Sequence, residues 1–373
     1  MALGFAGGGW LAAAAQEKGA AVGGRLIDVT TRGAKGDGKT DDTKAIQAAI
    51  DEAGKAGGAV FVPPGIYQAS ELQLRSNVGL YGIAGWDYRH SGGSVIRLAD
   101  AKAKCLLNIS GTSGVTIEGL ALAGANLGSG IHGILVDKPA LGRQEDSFRI
   151  QTCQIAWFTG DGLSLKYAWA WCIRHSMVAF NAGDGIRLLG YDSFISDCWL
   201  SGNKGAGLGA RGNNGMAMLT GNRIEWNLHG IYAESGNSYN VTGNCIDRNS
   251  QYGLAVLPQE GHGSAHWTIT GNHFRGSGRV ADADTYESSQ IRLEKVTGAT
   301  VVGNSLRCER GGGRGGATTR FFPSYGIVYQ GLSNSVIANN VLHQCAVKQL
   351  LVDLGGHGEG AVIKDNPGSL VRA

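Results

Sequence analysis

Proline is scarce in this chain, with six residues among 373, and no apolar run approaches the roughly 20 residues a membrane-spanning helix requires. The seven cysteines (Cys105, Cys153, Cys172, Cys198, Cys245, Cys308 and Cys345) form no Cys-x-x-Cys pair and are odd in number. That pattern excludes a thiolate zinc site and a disulfide framework, and leaves small buried apolar side chains as their expected role. Basic runs interleaved with aromatics are missing and the net charge is only +3, so nucleic acid is not an expected partner. There is no EF-hand loop and no compact acidic cluster, so neither a metal nor a cofactor is expected. What the chain has in excess is glycine, 62 residues, which suits many short strands joined by tight turns and speaks against a helical bundle.

The start, MALGFAGGGWLAAAAQ, is apolar and alanine-rich but lacks a positively charged leading region. It reads as the remnant of an export signal. Residues 1–24 are therefore expected to be a leader, residues 25–373 a single domain, and the protein secreted or periplasmic, with no membrane partner.

Length alone suggests two or three domains, but internal repeats overrule it. The blocks QTCQIAWF, RHSMVAFN, SDCWLSGN, TGNRIEWN, TGNCIDRN, TGNHFRGS and VGNSLRCE begin at residues 151, 174, 196, 220, 242, 270 and 302. A second block follows most of them: GDGLSL, GDGIRL, GAGLGA, LHGIYA and QYGLAV. A unit this short cannot bury its own apolar face, so the units must stack. The expected fold is all-β, a right-handed parallel β-helix solenoid. Asn181, Asn203, Asn227 and Asn249 share one slot in successive turns, the pattern of an asparagine ladder.

An open solenoid end would pair with other chains, so it needs a cap. The segment KTDDTKAIQAAIDEAGKAGG predicts an amino-terminal capping helix over about residues 41–54, with Thr40, Asp41 or Asp42 at its start. Its apolar stripe is Ala45, Ile46, Ala49, Ile50 and Ala53, and Gly54 or Gly57 ends it. RGGGRGGATTR, residues 310–320, reads as a loop.

The repeat places Glu225 of TGNRIEWN and Asp247 of TGNCIDRN in one slot, with Ile224 and Ile246 pointing inward. Turns stack about 4.8 Å apart, so the two carboxylates are neighbours. One pKa should then rise unless a cation intervenes, and a separated pair of that kind supplies a proton donor and a base together. The competing expectation is a surface charge ladder, because the next two turns put Arg275 and Arg307 in the same slot.

The block DVTTRGAKGDGKTDDTKAIQAAIDEAGKAGGAVFVPPGIYQASELQLRSNVGLYG, residues 28–82, resembles the amino-terminal segment of pectin-lyase-like right-handed β-helix proteins. Polygalacturonases, rhamnogalacturonan-active enzymes, fructotransferases and phage tailspikes share that segment. The resemblance implies carbohydrate bound on one outer strand face, and a homotrimer as an oligomer common among such proteins. Asp161 in TGDGL and Asp184 in AGDGI resemble the polygalacturonase acid slots, and His229 in LHGI resembles its histidine. The chain departs from that pattern at Ala206, which occupies the turn between them, and Arg292 and Lys295 of IRLEK are the nearest approach to the family's Arg-Ile-Lys. Aspartate is also a favoured turn residue, which is the competing account of Asp161 and Asp184.

Strand alternation turns Arg187, Arg211, Tyr232 and Glu234 outward, while Tyr252 shares the slot of His229. Aromatic and polar groups on one face suit sugar rings. Trp226 follows Glu225 in a slot that also holds Trp157, Phe180 and Arg248, and either substrate contact or core packing accounts for it.

The leading expectation is an exported enzyme that cleaves glycosidic bonds of a polysaccharide or oligosaccharide, with Asp161, Asp184, Glu225 and Asp247 as acid, base or nucleophile and His229 tuning one of them. The alternatives are a polysaccharide lyase, an epimerase or an inulin-type fructotransferase on the same scaffold, and a non-catalytic glycan-binding or tailspike-like structural protein.

Overall fold

The computed structural model describes residues 26–212, 214–279, 285–308 and 321–371; the expected leader and the loop at 310–320 lie outside the described residues. Most turns of chain carry three short strands, two of them merged into one long strand at Leu163–Arg174 and Ile186–Ser196, and strands pair in parallel with their equivalents in the next turn. The result is a right-handed parallel β-helix. One side is a narrow sheet of 11 strands, running from Asp37–Asp41 to Ser305–Arg307; the other two sides form a continuous second sheet.

The sequence repeats set the register of the narrow sheet. Ile155, Val178, Leu200, Ile224, Ile246, Phe274 and Leu306 are successive Cα partners, and all seven are buried. Their stacking is the reason for the repeat: each turn's apolar residue covers that of the turn before it, and the buried cluster extends from Ile27 to Ala346 without a break.

Two ladders fix the corners on either side of the narrow sheet. In the expected one, the Nδ2 groups of Asn181, Asn203 and Asn227 each donate to the Oδ1 of the next asparagine at 3.0, 3.0 and 3.1 Å, and Asn249 ends the series on Ser277. The second ladder was not anticipated. The asparagines of the Thr-Gly-Asn motifs, Asn222, Asn244 and Asn272, continue through Asn304 and Asn340 to Asn366, each donating to the next. Each amide also takes up a backbone carbonyl and N–H at a corner, groups that would be costly if buried without a partner.

The cap is a helix at Thr43–Ala53 whose buried stripe is Ile46, Ala49, Ile50 and Ala53; Ala45 is only partly covered. Asp42 stands at the N-cap position but does not cap the helix. Its carboxylate accepts from the Lys35 and Gly36 amides at 2.6 and 3.1 Å, and Asp41 takes the helix amide of Thr43 at 3.0 Å. Gln47 ties the helix to the first turn through reciprocal 2.9 Å bonds with the Gln73 backbone. Gly54 ends the helix in a right-handed conformation (φ −66°), and Gly57, at φ +72°, makes the left-handed turn into the strand Gly58–Phe61.

Candidate functional site

The cysteines form no disulfide among the described residues, and Cys153, Cys198 and Cys345 lie in the core. The candidate acids and His229 lie in two places: the Glu225 and Asp247 stack on the narrow sheet, and a column at the start of the first strand of each turn in the wide sheet.

Glu225 and Asp247 are Cα partners, as the repeat predicted. The intervening cation is there three times over. Arg248 donates through Nε to Asp247 Oδ1 at 2.8 Å and through its terminal nitrogen to Oδ2. Arg223 lies 2.8 Å from Glu225 and 3.3 Å from Asp247, and Arg275 lies 3.7 Å from Asp247. Asp247 is fully buried and Glu225 is 6% exposed. This is the charge-ladder arrangement, with one difference from the sequence expectation: the arginines cover the acids, so the acid pair does not present two open carboxylates to a substrate. Trp226 is the residue that turns outward, 40% exposed, with the Arg248 guanidinium 4.3 Å from its ring centroid. It stands outside the buried core cluster but packs edge-on against the buried Phe321 at 5.4 Å.

The second group runs along the wide sheet. Leu163, Ile186, Leu208, Ile231 and Leu254 are successive register partners, so the residues two positions earlier, Asp161, Asp184, Ala206, His229 and Tyr252, form one column. The column extends one turn further than the sequence reading recognised. His132 precedes Ile134, which pairs with Leu163, and its signal was present in the sequence: IHGIL at 131–135 repeats the His-Gly-Ile of LHGIY at 228–232.

Within the column, the Asp161 N–H donates to His132 Nδ1 at 3.0 Å, and Asp161 Oδ2 lies 3.4 Å from the same nitrogen. Accepting at Nδ1 leaves the neutral ring's proton on Nε2. Burial pushes the His132 pKa down against the attraction of Asp161, and pushes the Asp161 carboxyl above the ordinary aspartate range. Asp161 Oδ1 accepts the Asp184 amide at 2.8 Å; Asp184 in turn accepts the Ala206 amide at 2.7 Å and pairs its other oxygen with Arg211. Glycine is required here: a Cβ at Gly183 would stand 2.2 Å from Asp161 Oδ1 and one at Gly205 2.3 Å from Asp184 Oδ1. The GDG and GAG motifs are thus the space that the carboxylates occupy.

His229 is stacked between Tyr232 and Tyr252 at 4.9 and 5.3 Å, and its buried Nδ1 has no hydrogen-bond partner. Burial, with Arg211 nearby, lowers its pKa to about 4, so the ring is neutral at neutral pH. Tyr232 donates to Glu234 at 3.0 Å, and burial raises its pKa to about 12. Arg292 bonds the Tyr252 hydroxyl at 2.9 Å. Arg187 and Tyr232 face outward with Gly209 between them in register, and Arg211 lies 5.2 Å from the Tyr232 ring. Arg187 is exposed and forms no ion pair among the described residues. The structure thus brings Asp161, Asp184, Arg187, Arg211, His229, Tyr232, Glu234 and Tyr252 onto one face, and places Glu225, Trp226 and Asp247 around the corner on the narrow sheet.

Two family models match the chain: "Rhamnogalacturonase A/epimerase, pectate lyase-like" over residues 26–92 and "Right handed beta helix region" over residues 132–306. The chain carries the pectin-lyase-like right-handed parallel β-helix, and the resemblance read from residues 28–82 holds at that level. Alginate lyase 7 of Azotobacter vinelandii is 42% identical over 106 residues, 23% of this chain. That match spans only 12% of the lyase's own length. The preneck appendage protein of Bacillus phage PZA is 25% identical over 86% of this chain and 39% of its own. Among solved structures, the A-module of the A. vinelandii mannuronan C-5 epimerase AlgE4 superposes with a TM-score of 0.61 at 19% identity, covering 93% of this chain and all of the module. That last likeness shows the fold alone.

Proposed function

We propose that the protein is a carbohydrate-active enzyme that works on an acidic polysaccharide or oligosaccharide laid along the outer face of the wide sheet. The observation that carries this reading is the His132–Asp161 pair beside Arg187. Asp161 is a carboxyl biased toward its protonated form, His132 is a neutral ring with a proton on Nε2, and Arg187 is an exposed guanidinium with no ion-pair partner among the described residues. A sugar carboxylate paired with Arg187 loses its negative charge, which eases removal of the neighbouring carbon-bound proton. Asp161, in its ionised form, takes that carbon-bound proton, and the Asp161 carboxyl so formed, or the His132 Nε2–H, gives a proton to the leaving or developing oxygen. Bond cleavage by elimination, or epimerisation, uses one proton-holding carboxyl and one cation in this way. The similarity to an alginate lyase supports this reading.

Hydrolysis is the second reading, favoured by the adjacency of Asp161 to Asp184, which pairs with Arg211. It asks more of Asp184, whose two oxygens are already held by the Ala206 amide and by Arg211. Incubation with alginate, polygalacturonate and inulin separates the readings. Elimination gives ultraviolet-absorbing unsaturated ends, hydrolysis gives reducing ends alone, epimerisation gives solvent deuterium in an uncleaved polymer, and fructosyl transfer gives non-reducing cyclic products. Asp161→Asn is expected to lower turnover by about two orders of magnitude or more with a melting temperature close to that of the parent. Full turnover in that variant would sink the assignment, and so would the absence of any reaction on all three polymers.

A further inference from the structure

At the corner that leaves the narrow sheet, the backbone is left-handed in turn after turn: Trp157 (φ 61°), Phe180 (57°), Gly202 (68°), Trp226 (60°) and Arg248 (49°). A side chain there costs energy that glycine does not. The preceding corner, with the same handedness, uses Gly221, Gly243, Gly271 and Gly303 in several turns. This corner instead carries two tryptophans and a phenylalanine. Trp157 and Phe180 stack on each other at 5.7 Å, while Trp226 packs edge-on against Phe321 at 5.4 Å and still keeps 40% of its surface exposed. Gly202 breaks the aromatic row between Phe180 and Trp226. A Cβ there would meet the Phe180 ring at 2.8 Å, so the phenylalanine leans over the glycine.

The segment Ile83–Gly93 completes the corner. It is fastened across the narrow sheet by Trp86 Nε1 to the Thr152 carbonyl at 3.1 Å and by Gln154 Nε2 to the Asp87 carbonyl at 2.7 Å. It brings Tyr88 edge-on to Phe180 at 5.4 Å and to Trp199 at 6.2 Å, and the Tyr88 hydroxyl shares a 2.5 Å hydrogen bond with Ser201. Trp199 is 43% exposed, and Arg223, with about a third of its side chain in solvent, lies in the next turn of the same row. The surface is therefore a ledge with aromatic faces at both ends and guanidinium donors beside them. Flat apolar faces edged by fixed hydrogen-bond donors match a sugar ring, which presents C–H groups on its faces and hydroxyls around its rim.

We propose that this ledge, formed by Tyr88, Phe180, Trp199, Gly202, Arg223 and Trp226, is a second saccharide-binding platform distinct from the Asp161 column. Trp226 and His229 are three residues apart across the turn, so one polymer chain can pass from the platform to the column. The platform needs no chemistry at the column and goes beyond the reading given above.

The test is affinity electrophoresis of the full chain through gels containing alginate, polygalacturonate or inulin. The expected result is retardation of the parent protein by at least one polymer, weakened about fivefold to tenfold by Trp199→Ala and by Trp226→Ala, and retained by Asp161→Asn. Trp199 pairs in register with Arg223 and not with Arg248, so Trp199→Ala reports on the platform even if Trp226→Ala disturbs Arg248. Retardation equal to that of the parent in both tryptophan variants would overturn the proposal, as would a parent that none of the polymers retards. A change of oligomeric state in sedimentation, with polymer binding intact, would assign the ledge to a second copy of the chain and overturn it too. A protein that binds polymer through the tryptophans yet turns over nothing leaves the platform standing and removes only the reading of the Asp161 column.

Discussion

Replacing Asp247 by asparagine tests what the stacked acids are for. The parent carboxylate is fully buried and is met by Arg248 at both oxygens, by Arg223 at 3.3 Å and by Arg275 at 3.7 Å. Asparagine keeps the volume but removes the charge, leaving Glu225, approached by Arg223 and Arg248, as the one acid of the stack. Breaking a buried ion pair costs about 3 to 5 kcal/mol, and the partial exposure of the arginines lowers the expected figure to about 2 to 4 kcal/mol. An unfolding entropy of roughly 2.1 cal/mol/K per residue makes this a fall of about 3 to 5 °C in melting temperature for a chain of 373 residues. Calorimetry at neutral pH, alongside specific activity per folded molecule on whichever polymer is turned over, reads both quantities. The expected outcome is a lower melting temperature with activity within a few-fold of the parent. An unchanged or raised melting temperature together with a loss of turnover by orders of magnitude would refute the reasoning and return Glu225 and Asp247 to the chemistry.

Below pH 6.5, His229 should be a source of acid sensitivity. Its folded pKa of about 4 lies beneath the unfolded value, so the unfolded chain binds the extra proton first and stability falls between about pH 6.5 and 4, by roughly 3 kcal/mol. His229→Phe should flatten that part of a melting-temperature profile relative to the parent, and parallel profiles would contradict the assignment. Asn244→Ala should cost about 2 to 4 kcal/mol by chemical denaturation, because it leaves the buried Asn222 amide and the Leu219 carbonyl without partners. A cost below about 0.5 kcal/mol would mean the ladder is incidental. Deleting residues 1–55 should expose the first turn and produce aggregates in size-exclusion chromatography, whereas a monodisperse product would show that the helix Thr43–Ala53 is not the needed cap.

The solenoid was legible in the sequence because its cause is local and repeated. A parallel stack demands the same inward residue in each turn, so the Ile224 and Ile246 slot, the Asn181 ladder and the column from Asp161 to Tyr252 could be read by aligning the chain with itself. The second ladder was written there as well, in the asparagine of each Thr-Gly-Asn, and so was His132 in its repeated His-Gly-Ile. What alignment could not supply is what covers an outward side chain. Glu225 and Asp247 have the same slot, spacing and charge that an open catalytic pair would have. Only the folded directions of Arg223, Arg248 and Arg275 decide that Asp247 is buried and neutralised. Likewise, Asp161 is set apart from Asp184 by neighbours one turn away on opposite sides, His132 for the first and Arg211 for the second. The placement of Tyr88 against Ser201, 113 positions distant in the chain, follows no period at all. Periodicity fixes backbone position along the stack, while long polar side chains and cross-turn loops choose their partners in three dimensions, and the pKa values and exposures that determine chemistry depend on that second choice.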